Sequence, residues 1–236
     1  VILTASRATI AFSAIGLALT LLLSMTVRFT GRKAMLGVLG VVILAGSYPL
    51  ARATLDRRFE SQKSAFFQED KEREAFARAA RAMLAAYPMG VGPNHYVVVA
   101  NTQGYSARAG VAWRSASRST NVHNSYLLIA AESGYFGLVT MLILFASALW
   151  YAFSGAFRFR RYPGAEVLIG VGCGILAMAV HSLFEWMFVM FSAQYVFAVS
   201  LGLIAGLRSR FLRTEKTESR ARRSGGKKHR LKARTE

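Results

Sequence analysis

Several residue types that often define a site are scarce in this 236-residue chain. With one cysteine, Cys173, it can form neither an intramolecular disulfide nor a cysteine-based metal site. Residues 1–27 lack a basic segment and a plausible cleavage site, so we expect no removable signal peptide. Acidic residues are also few: 12 Asp and Glu stand against 30 Lys and Arg, for a formal charge of +18. Such basicity indicates a nucleic acid or a membrane surface as partner.

Apolar residues, by contrast, make up 53% of the chain and occur in long runs. A helix of ~20 apolar residues spans the ~30 Å core of a bilayer. The basic C-terminal region has no aromatic interleaving that would read a nucleic acid, so we predict no nucleic-acid partner. The sequence therefore predicts an all-α, polytopic membrane protein with about five spans: 8–27, 34–50, 135–154, 165–183 and 187–207.

Lys and Arg accumulate in the connections 28–33 and 157–161 and in the tail from residue 208 onward. With five spans these three regions lie on one side, which the positive-inside bias makes cytoplasmic. The predicted organisation is listed here: 1–50, two transmembrane helices; 51–124, an exterior loop; 125–207, three transmembrane helices; 208–236, a basic cytoplasmic tail. We expect the tail to be disordered and attracted to anionic lipid. The chain opens with Val in a stretch typical of the end of a helix, so we expect a preceding part of the protein to be missing.

The exterior loop contains a helix predicted from about Asp70 to Tyr87, with acids in its first turn and a Pro-Met-Gly stop. On a helical wheel its apolar arc consists of Phe76, Ala80, Met83, Leu84 and Tyr87. Arg73 falls inside this arc, whereas Arg78 and Arg81 lie opposite. Arg73 either snorkels from the first turn or is held inward to meet an anion; its guanidinium suits phosphate.

Other polar residues of the loop are open to two interpretations. The stretch 88–92, Pro-Met-Gly-Val-Gly, is better explained as a turn closing the helix than as a phosphate loop, because no Lys-Ser/Thr follows. His95 is a structural turn residue or lines a site. Arg114 and Arg118 are ordinary surface residues, or they form an anion-attracting mouth near His123.

A histidine, an amide and a carboxylate cluster where the loop meets the next apolar run. His123 either tolerates the interface or acts as a base, since imidazole titrates near neutrality. Asn124 could orient that ring or bind a sugar hydroxyl, and Glu132 is an ionisable group near hydrocarbon depth. Four residues apart, His181 and Glu185 are expected to share a helix face, as buried polar packing or as groove lining.

Three features in order carry a family resemblance: Ser6-Arg7 opening a helix; Arg73 leading through Tyr87 into Pro-x-Gly-x-Gly; and His123-Asn124 followed, after nine positions, by Gly134-x-x-Gly137. Together they resemble the signature of the O-antigen ligase and Wzy-type polymerase superfamily. The resemblance covers nearly all of residues 1–207.

The resemblance implies an inverting, metal-independent glycosyltransferase of the GT-C type, without cofactor. It would transfer a glycan from undecaprenyl pyrophosphate to a hydroxyl acceptor on the periplasmic face of the bacterial inner membrane, in lipopolysaccharide biosynthesis. Its partners would be a lipid-linked oligosaccharide donor, a glycan or lipid acceptor, and membrane lipids.

Carried over by residue, His123 is the catalytic base or acceptor-orienting group, and Arg7 and Arg73 hold the pyrophosphate. The residues predicted to line the site are Asn124, Arg114, Arg118, His95 and Glu132. One departure is that Ala77 stands where the family often has Leu, four positions after its loop arginine, so Arg78 or Arg81 is an alternative to Arg73.

Three alternatives remain at the level of the sequence. A Wzy-type polymerase would use the same chemistry on another acceptor. A transporter or flippase component would place its charges along a path through the membrane, whereas here they gather at the exterior ends of the spans. A non-catalytic scaffold would need neither an inward arginine nor the His-Asn pair.

Overall fold

The structure is a computed structural model that describes residues 7–232, with side chains for 12–43, 45–46 and 70–221. Within 7–232 the regular structure is entirely helical. The elements in chain order are α1 (Arg7–Val27), α2 (Gly31–Ala86), α3 (Tyr96–Thr102), α4 (Tyr105–Arg108), α5 (Ser115–Arg118), α6 (Ser125–Arg158), α7 (Ala165–His181), a 3-10 helix (Met187–Val189) and α8 (Phe191–Lys232). The predicted all-α class is confirmed for the described residues.

Helices α1 and α7 pack antiparallel along their lengths. At one end the ring of Phe12 lies 5.4 Å from that of His181, and at the other Ser24 Oγ donates to Glu166 Oε2 over 2.9 Å. Lys33 joins this second end through its ion pair with Glu166. The basic turn at 28–33 therefore lies at the same end of the helices as the basic turn before α7, as the predicted topology requires.

Helix α2 is longer than expected. We predicted a short span at 34–50 and a separate helix from about Asp70, but one helix runs from Gly31 to Ala86. It passes through Pro49, which disfavours a helix interior by ~3 kcal/mol. The reason lies in 51–69, which has no glycine and is rich in Ala, Arg, Glu, Lys and Gln, all strong helix formers. The boundary predicted at residue 50 thus falls inside one helix.

Helix α6 folds back on itself at Gly134, whose φ of 68° and ψ of −170° are not helical. In a straight helix Tyr126 and Phe145 would stand about 28 Å apart. Their ring centroids are 6.3 Å apart. The first half of α6 (125–133) therefore runs antiparallel to the second half (135–158), and the predicted span 135–154 begins one residue after the break.

The loop at 88–92 docks on this break through the backbone. Tyr135 N donates to Pro88 O over 3.0 Å, Val91 N to Ala131 O over 3.0 Å, and Gly92 N to Glu132 O over 2.9 Å. A Cβ on Gly90 would collide with the Glu132 carbonyl oxygen. The turn predicted after α2 is confirmed, and its glycines allow two backbones to meet.

The basic tail is helical in the described residues, contrary to the expected disorder. Phe211 of α8 is 3% exposed and lies against Phe159 and Tyr162, the latter stacked at 5.7 Å and 11°. Ion pairing of Arg158 with Glu215 continues this contact over 3.1 Å. Phe211 thus packs the start of the tail against the turn before α7.

By length and composition, two helices of the described part can cross a membrane, Ser125–Arg158 and Phe191–Ala221. Phe12–Val27 and Ala165–His181 are apolar but shorter. Because α6 folds back, only its second half forms a straight rod, about 36 Å long, which still suffices for a bilayer core. The count of five spans stays a prediction.

Candidate active site

The site is built where the loop after α7 (182–186) is pinned to the start of α6. Ser125 donates through its N to Ser182 O and through its Oγ to Glu185 O, each over 2.8 Å. Asn124 donates from Nδ2 to Leu183 O over 3.0 Å. These three bonds fix the 182–186 loop beside the end of the loop that carries His123.

Asn124 is the N-cap of α6. Its Oδ1 accepts a hydrogen bond from Leu127 N over 2.9 Å, a typical capping contact that satisfies an amide of the first turn. Both ends of its amide are therefore bonded to backbone. Its contacts give it a structural role one residue from the site, rather than contact with the His123 ring.

His123 pairs with a carboxylate that lies 62 residues further along the chain. Its Nδ1 is 3.1 Å from Glu185 Oε2, and the two side chains are 24% and 31% exposed. Phe76 and Trp186 flank the imidazole, with ring centroids at 6.1 and 6.3 Å. The imidazole is thus partly buried between two aromatic rings, and its Nδ1 contacts the Glu185 carboxylate.

Arg73 reaches the same carboxylate from α2. Its Nη2 lies 3.3 Å from Glu185 Oε1, and its Nη1 donates to Phe184 O over 2.9 Å. The helical wheel placed Arg73 inward, and this is confirmed, because it lies beside the buried residues Phe76 and Ala80. Among the described residues, Glu185 is an anion that it meets.

The alternative arginines lie elsewhere on α2. Arg78 donates to Ala109 O over 2.9 Å, and Arg81 bonds Glu74 on the exposed face. Neither makes a contact with His123 or Glu185 among those of the described residues. Of Arg73, Arg78 and Arg81, Arg73 is therefore the arginine that meets His123 at a shared carboxylate.

The carboxylate at the centre of this cluster is ionised at neutral pH. Partial burial raises the pKa of the Glu185 carboxyl, but the hydrogen bond from His123 and the charges of His123 and Arg73 more than offset this. The pKa of Glu185 therefore lies below its ordinary value. Because a carboxylate can only accept, His123 donates from Nδ1, and Nε2 becomes the basic nitrogen of the neutral ring.

Glu132 and His95 have structural contacts. Glu132 Oε1 accepts from Tyr96 N over 3.1 Å at the start of α3, and the His95 ring bonds Pro93 O at 2.8 Å within its own turn. Glu132 thus ties the first half of α6 to α3. The contacts of His95 fit a structural residue of the turn better than a residue that lines the site.

Among the contacts of the described residues, those of Arg118 and Arg114 are with residues of the loop and of α2, not with His123 or Glu185. Arg118 donates to Val111 O, Ala112 O and Asn101 Oδ1, with its guanidinium 4.0 Å from the Trp113 ring centroid. Arg114, 65% exposed, lies 3.7 Å from Glu72. Neither has a contact with His123 in the described part of the chain.

Arg7 begins α1, and its side chain lies outside the described residues. The neighbouring part of α1 is close to the cluster, since Phe12 packs on His181 and, at 5.7 Å, on Phe184. The backbone thus brings the start of α1 to the same end of the bundle. A role of Arg7 toward pyrophosphate stays a prediction.

Sequence reasoning missed the role of Glu185. We expected it to share a helix face with His181, but α7 ends at His181 and Glu185 belongs to the loop that follows. His181 packs on Phe12, as buried polar packing predicts, with its Nε2 unbonded. The sequence signal for Glu185 was its charge next to an apolar run. Such a charge indicates a functional residue but does not predict which residue it contacts.

A family model described as O-antigen ligase matches residues 1–142, more than half of the chain. The chain belongs to the O-antigen ligase family. Neither a curated protein nor a solved structure matches it. As a member of this family it is a ligase- or polymerase-like membrane enzyme that acts on lipid-linked glycans in polysaccharide biosynthesis. The match includes Arg73 and His123 and ends before Glu185.

Proposed function

We propose that this protein transfers a glycan from undecaprenyl pyrophosphate to a hydroxyl acceptor at the periplasmic face of the bacterial inner membrane, as an inverting, metal-independent O-antigen ligase. The observation that supports this best is the convergence of His123 and Arg73 on one held carboxylate. A general base and an anion-binding group are what this reaction requires, since the lipid pyrophosphate is already a good leaving group once its charge is neutralised.

In the proposed reaction the acceptor hydroxyl attacks the anomeric carbon of the lipid-linked sugar. The new C–O bond forms as the bond between that carbon and the phosphate oxygen breaks, and the electron pair leaves with the lipid pyrophosphate. His123 Nε2 takes the hydroxyl proton. Arg73 and Arg7 stabilise the negative charge that develops on the leaving group. A single displacement on the face opposite the leaving group inverts the anomeric centre.

The distribution of charge supports the proposed face of the membrane. The basic turns at 28–33 and 158–161 and the basic part of α8 gather at the end opposite His123 and Arg73. The positive-inside bias makes that end cytoplasmic and the cluster periplasmic. Collection of His123, Arg73 and Glu185 at one end also favours an enzyme over a transporter, whose charges would follow the path through the membrane.

The test uses His123→Ala and Arg73→Ala in the full-length protein, expressed in a host that lacks its own ligase. We expect each to reduce glycan transfer by at least about 100-fold, the lower range for loss of a general base. Arg81→Ala is the matched control, because Arg81 lies on the exposed face of the same helix. Normal transfer in both site variants would overturn the proposal.

The products of the variants distinguish a ligase from a polymerase. Loss of capped lipid acceptor with normal repeat-unit chains supports a ligase. Accumulation of single repeat units instead identifies a polymerase and rejects the ligase assignment.

A further inference from the structure

Glu185 has a position that neither the family match nor the reaction scheme uses. Its Oε2 faces His123 Nδ1 at 3.1 Å, and its Oε1 faces Arg73 Nη2 at 3.3 Å. We propose that Glu185 is a positioning residue that fixes His123 as the base and, because Arg73 shares its carboxylate, links the base to the binding of the donor pyrophosphate. This inference rests on the proposed function.

The carboxylate is held in place before any substrate arrives. The backbone carbonyl of Glu185 accepts from Ser125 Oγ, and the carbonyl of Phe184 accepts from Arg73. Asn124 holds Leu183 from the other side. Side chains whose anchors are fixed lose little freedom on catalysis, which is the property that a positioning residue requires.

The first consequence concerns the tautomer of His123. An ionised carboxylate at Nδ1 forces that nitrogen to carry the proton, so that Nε2 presents its lone pair to the acceptor hydroxyl. It also stabilises the imidazolium that forms when the proton is taken up. A glutamine at position 185 could donate from its amide to Nδ1 and hold the opposite tautomer, in which Nε2 cannot accept a proton.

The second consequence concerns Arg73. A pyrophosphate that binds Arg73 competes with Glu185 Oε1 for the same guanidinium. When Arg73 turns to the phosphate, the charge of Glu185 acts on His123 alone and favours the imidazolium formed during transfer. Donor binding and proton uptake at His123 are then coupled, and by linkage the coupling is reciprocal.

The charged and titratable groups around Glu185 come from several elements. Arg73 faces it from α2 and His123 from the residue before the α6 N-cap. His181, at the end of α7, turns its ring to Phe12 instead. Arg7, at the start of α1, has its side chain outside the described residues. The pH response of the site should therefore be dominated by the pair of His123 with Glu185.

The experiment compares Glu185→Gln, Glu185→Asp and Glu74→Gln in the full-length enzyme, with purified lipid-linked glycan as donor. Glu74 is the control because it is an exposed glutamate on the outer face of α2. We expect Glu185→Gln to lower kcat by at least about 10-fold, by analogy with groups that orient a functional histidine. Its KM for the donor should stay equal or fall, since Arg73 loses a competitor. The control should match the parent, and Glu185→Asp should recover part of kcat.

The pH–rate profile gives a readout that a merely structural role would not move. In the parent the rate should rise with pH, as expected when a base must be unprotonated, and Glu185→Gln should shift the pH at which this rise occurs. A double-mutant cycle with Arg73→Gln should be non-additive, because both residues act on one carboxylate.

Two results would overturn the inference. One is full activity with an unshifted profile in Glu185→Gln. The other is equal loss in the Gln and Asp variants together with a lowered melting temperature, which would assign Glu185 to folding alone. If Glu185→Gln is fully active while His123→Ala is inactive, the inference fails and the proposed function stands. If His123→Ala and Arg73→Ala are both active, the inference and the proposed function fail together.

Discussion

Gly134 controls the fold-back of α6, and Gly134→Ala is expected to destabilise the protein by about 2–4 kcal/mol. A φ of 68° with ψ of −170° lies in a region that only glycine populates readily, and forcing another residue into it costs about 1–3 kcal/mol. A Cβ at this position would also collide with Pro88 O and the backbone of Met89. Moving the loop away to relieve the clash loses the bond from Tyr135 N, worth about 1 kcal/mol.

The assay is the apparent melting temperature of the full-length protein in detergent. A loss of this size corresponds to a decrease of roughly 4–16 °C for a chain of this length. Gly202→Ala is the matched control, because no atom lies within 4 Å of a Cβ placed there. Its melting temperature should stay equal or rise slightly, since alanine is favoured over glycine in a helix. If Gly134→Ala melts within about 1 °C of the parent, the fold-back does not depend on this glycine.

Three further predictions test other parts of the fold. Arg118→Ala, which leaves two loop carbonyls without their donor, should destabilise the exterior loop by about 1–3 kcal/mol and speed its proteolysis. Phe211→Ala should release the start of the tail from Tyr162, with about 3–5 kcal/mol lost at this contact, seen as faster hydrogen exchange over 208–221. The lowered pKa of Glu185 stabilises the fold above the ordinary glutamate pKa of about 4.3, and this stabilisation is lost as pH falls through the lowered value. Melting curves below that pH should therefore show an acid-dependent loss that is smaller in Glu185→Gln.

The features that could be predicted from the sequence are those encoded within one helical turn or one turn motif. Arg73 was placed inward by its position among Phe76 and Ala80 on a wheel, and the burial of these neighbours confirms it. The Pro-Met-Gly-Val-Gly stretch at 88–92 predicts a turn that closes the helix, and the structure has this turn. Local periodicity and local conformational preference are enough for both.

The features that could not be predicted depend on contacts far apart in the chain. No local pattern pairs His123 with Glu185, since they meet only after α6 and α7 have packed. The helicity of the tail start depends in the same way on a pocket that Tyr162 offers to Phe211. Continuity of α2 was missed for a different reason: the second span was expected to end next to Pro49, whereas the helix formers of 51–69 continue the helix.

The fold-back also changes where the proposed site lies. His123 precedes an apolar run and therefore looks like a residue at the membrane entrance. Because the first half of α6 runs antiparallel to the second, Tyr126, three residues after His123, lies beside Phe145, which is about 16 Å along the second half from Gly134. With the second half of α6 as a span, the cluster is recessed from its exterior end.

A recessed position explains why the two charged groups, Arg73 and Glu185, pair with each other. An arginine or a carboxylate at such a depth is unfavourable unless it has a partner. Glu185 supplies a negative charge to Arg73 at the place where the proposed pyrophosphate would bind, so the guanidinium is neutralised when the donor is absent. When the donor binds, its pyrophosphate replaces Glu185 as the negative partner of Arg73. The guanidinium is therefore already in place before the donor arrives. We therefore expect donor affinity to rise in Glu185→Gln, a direction opposite to that of simple damage to the site.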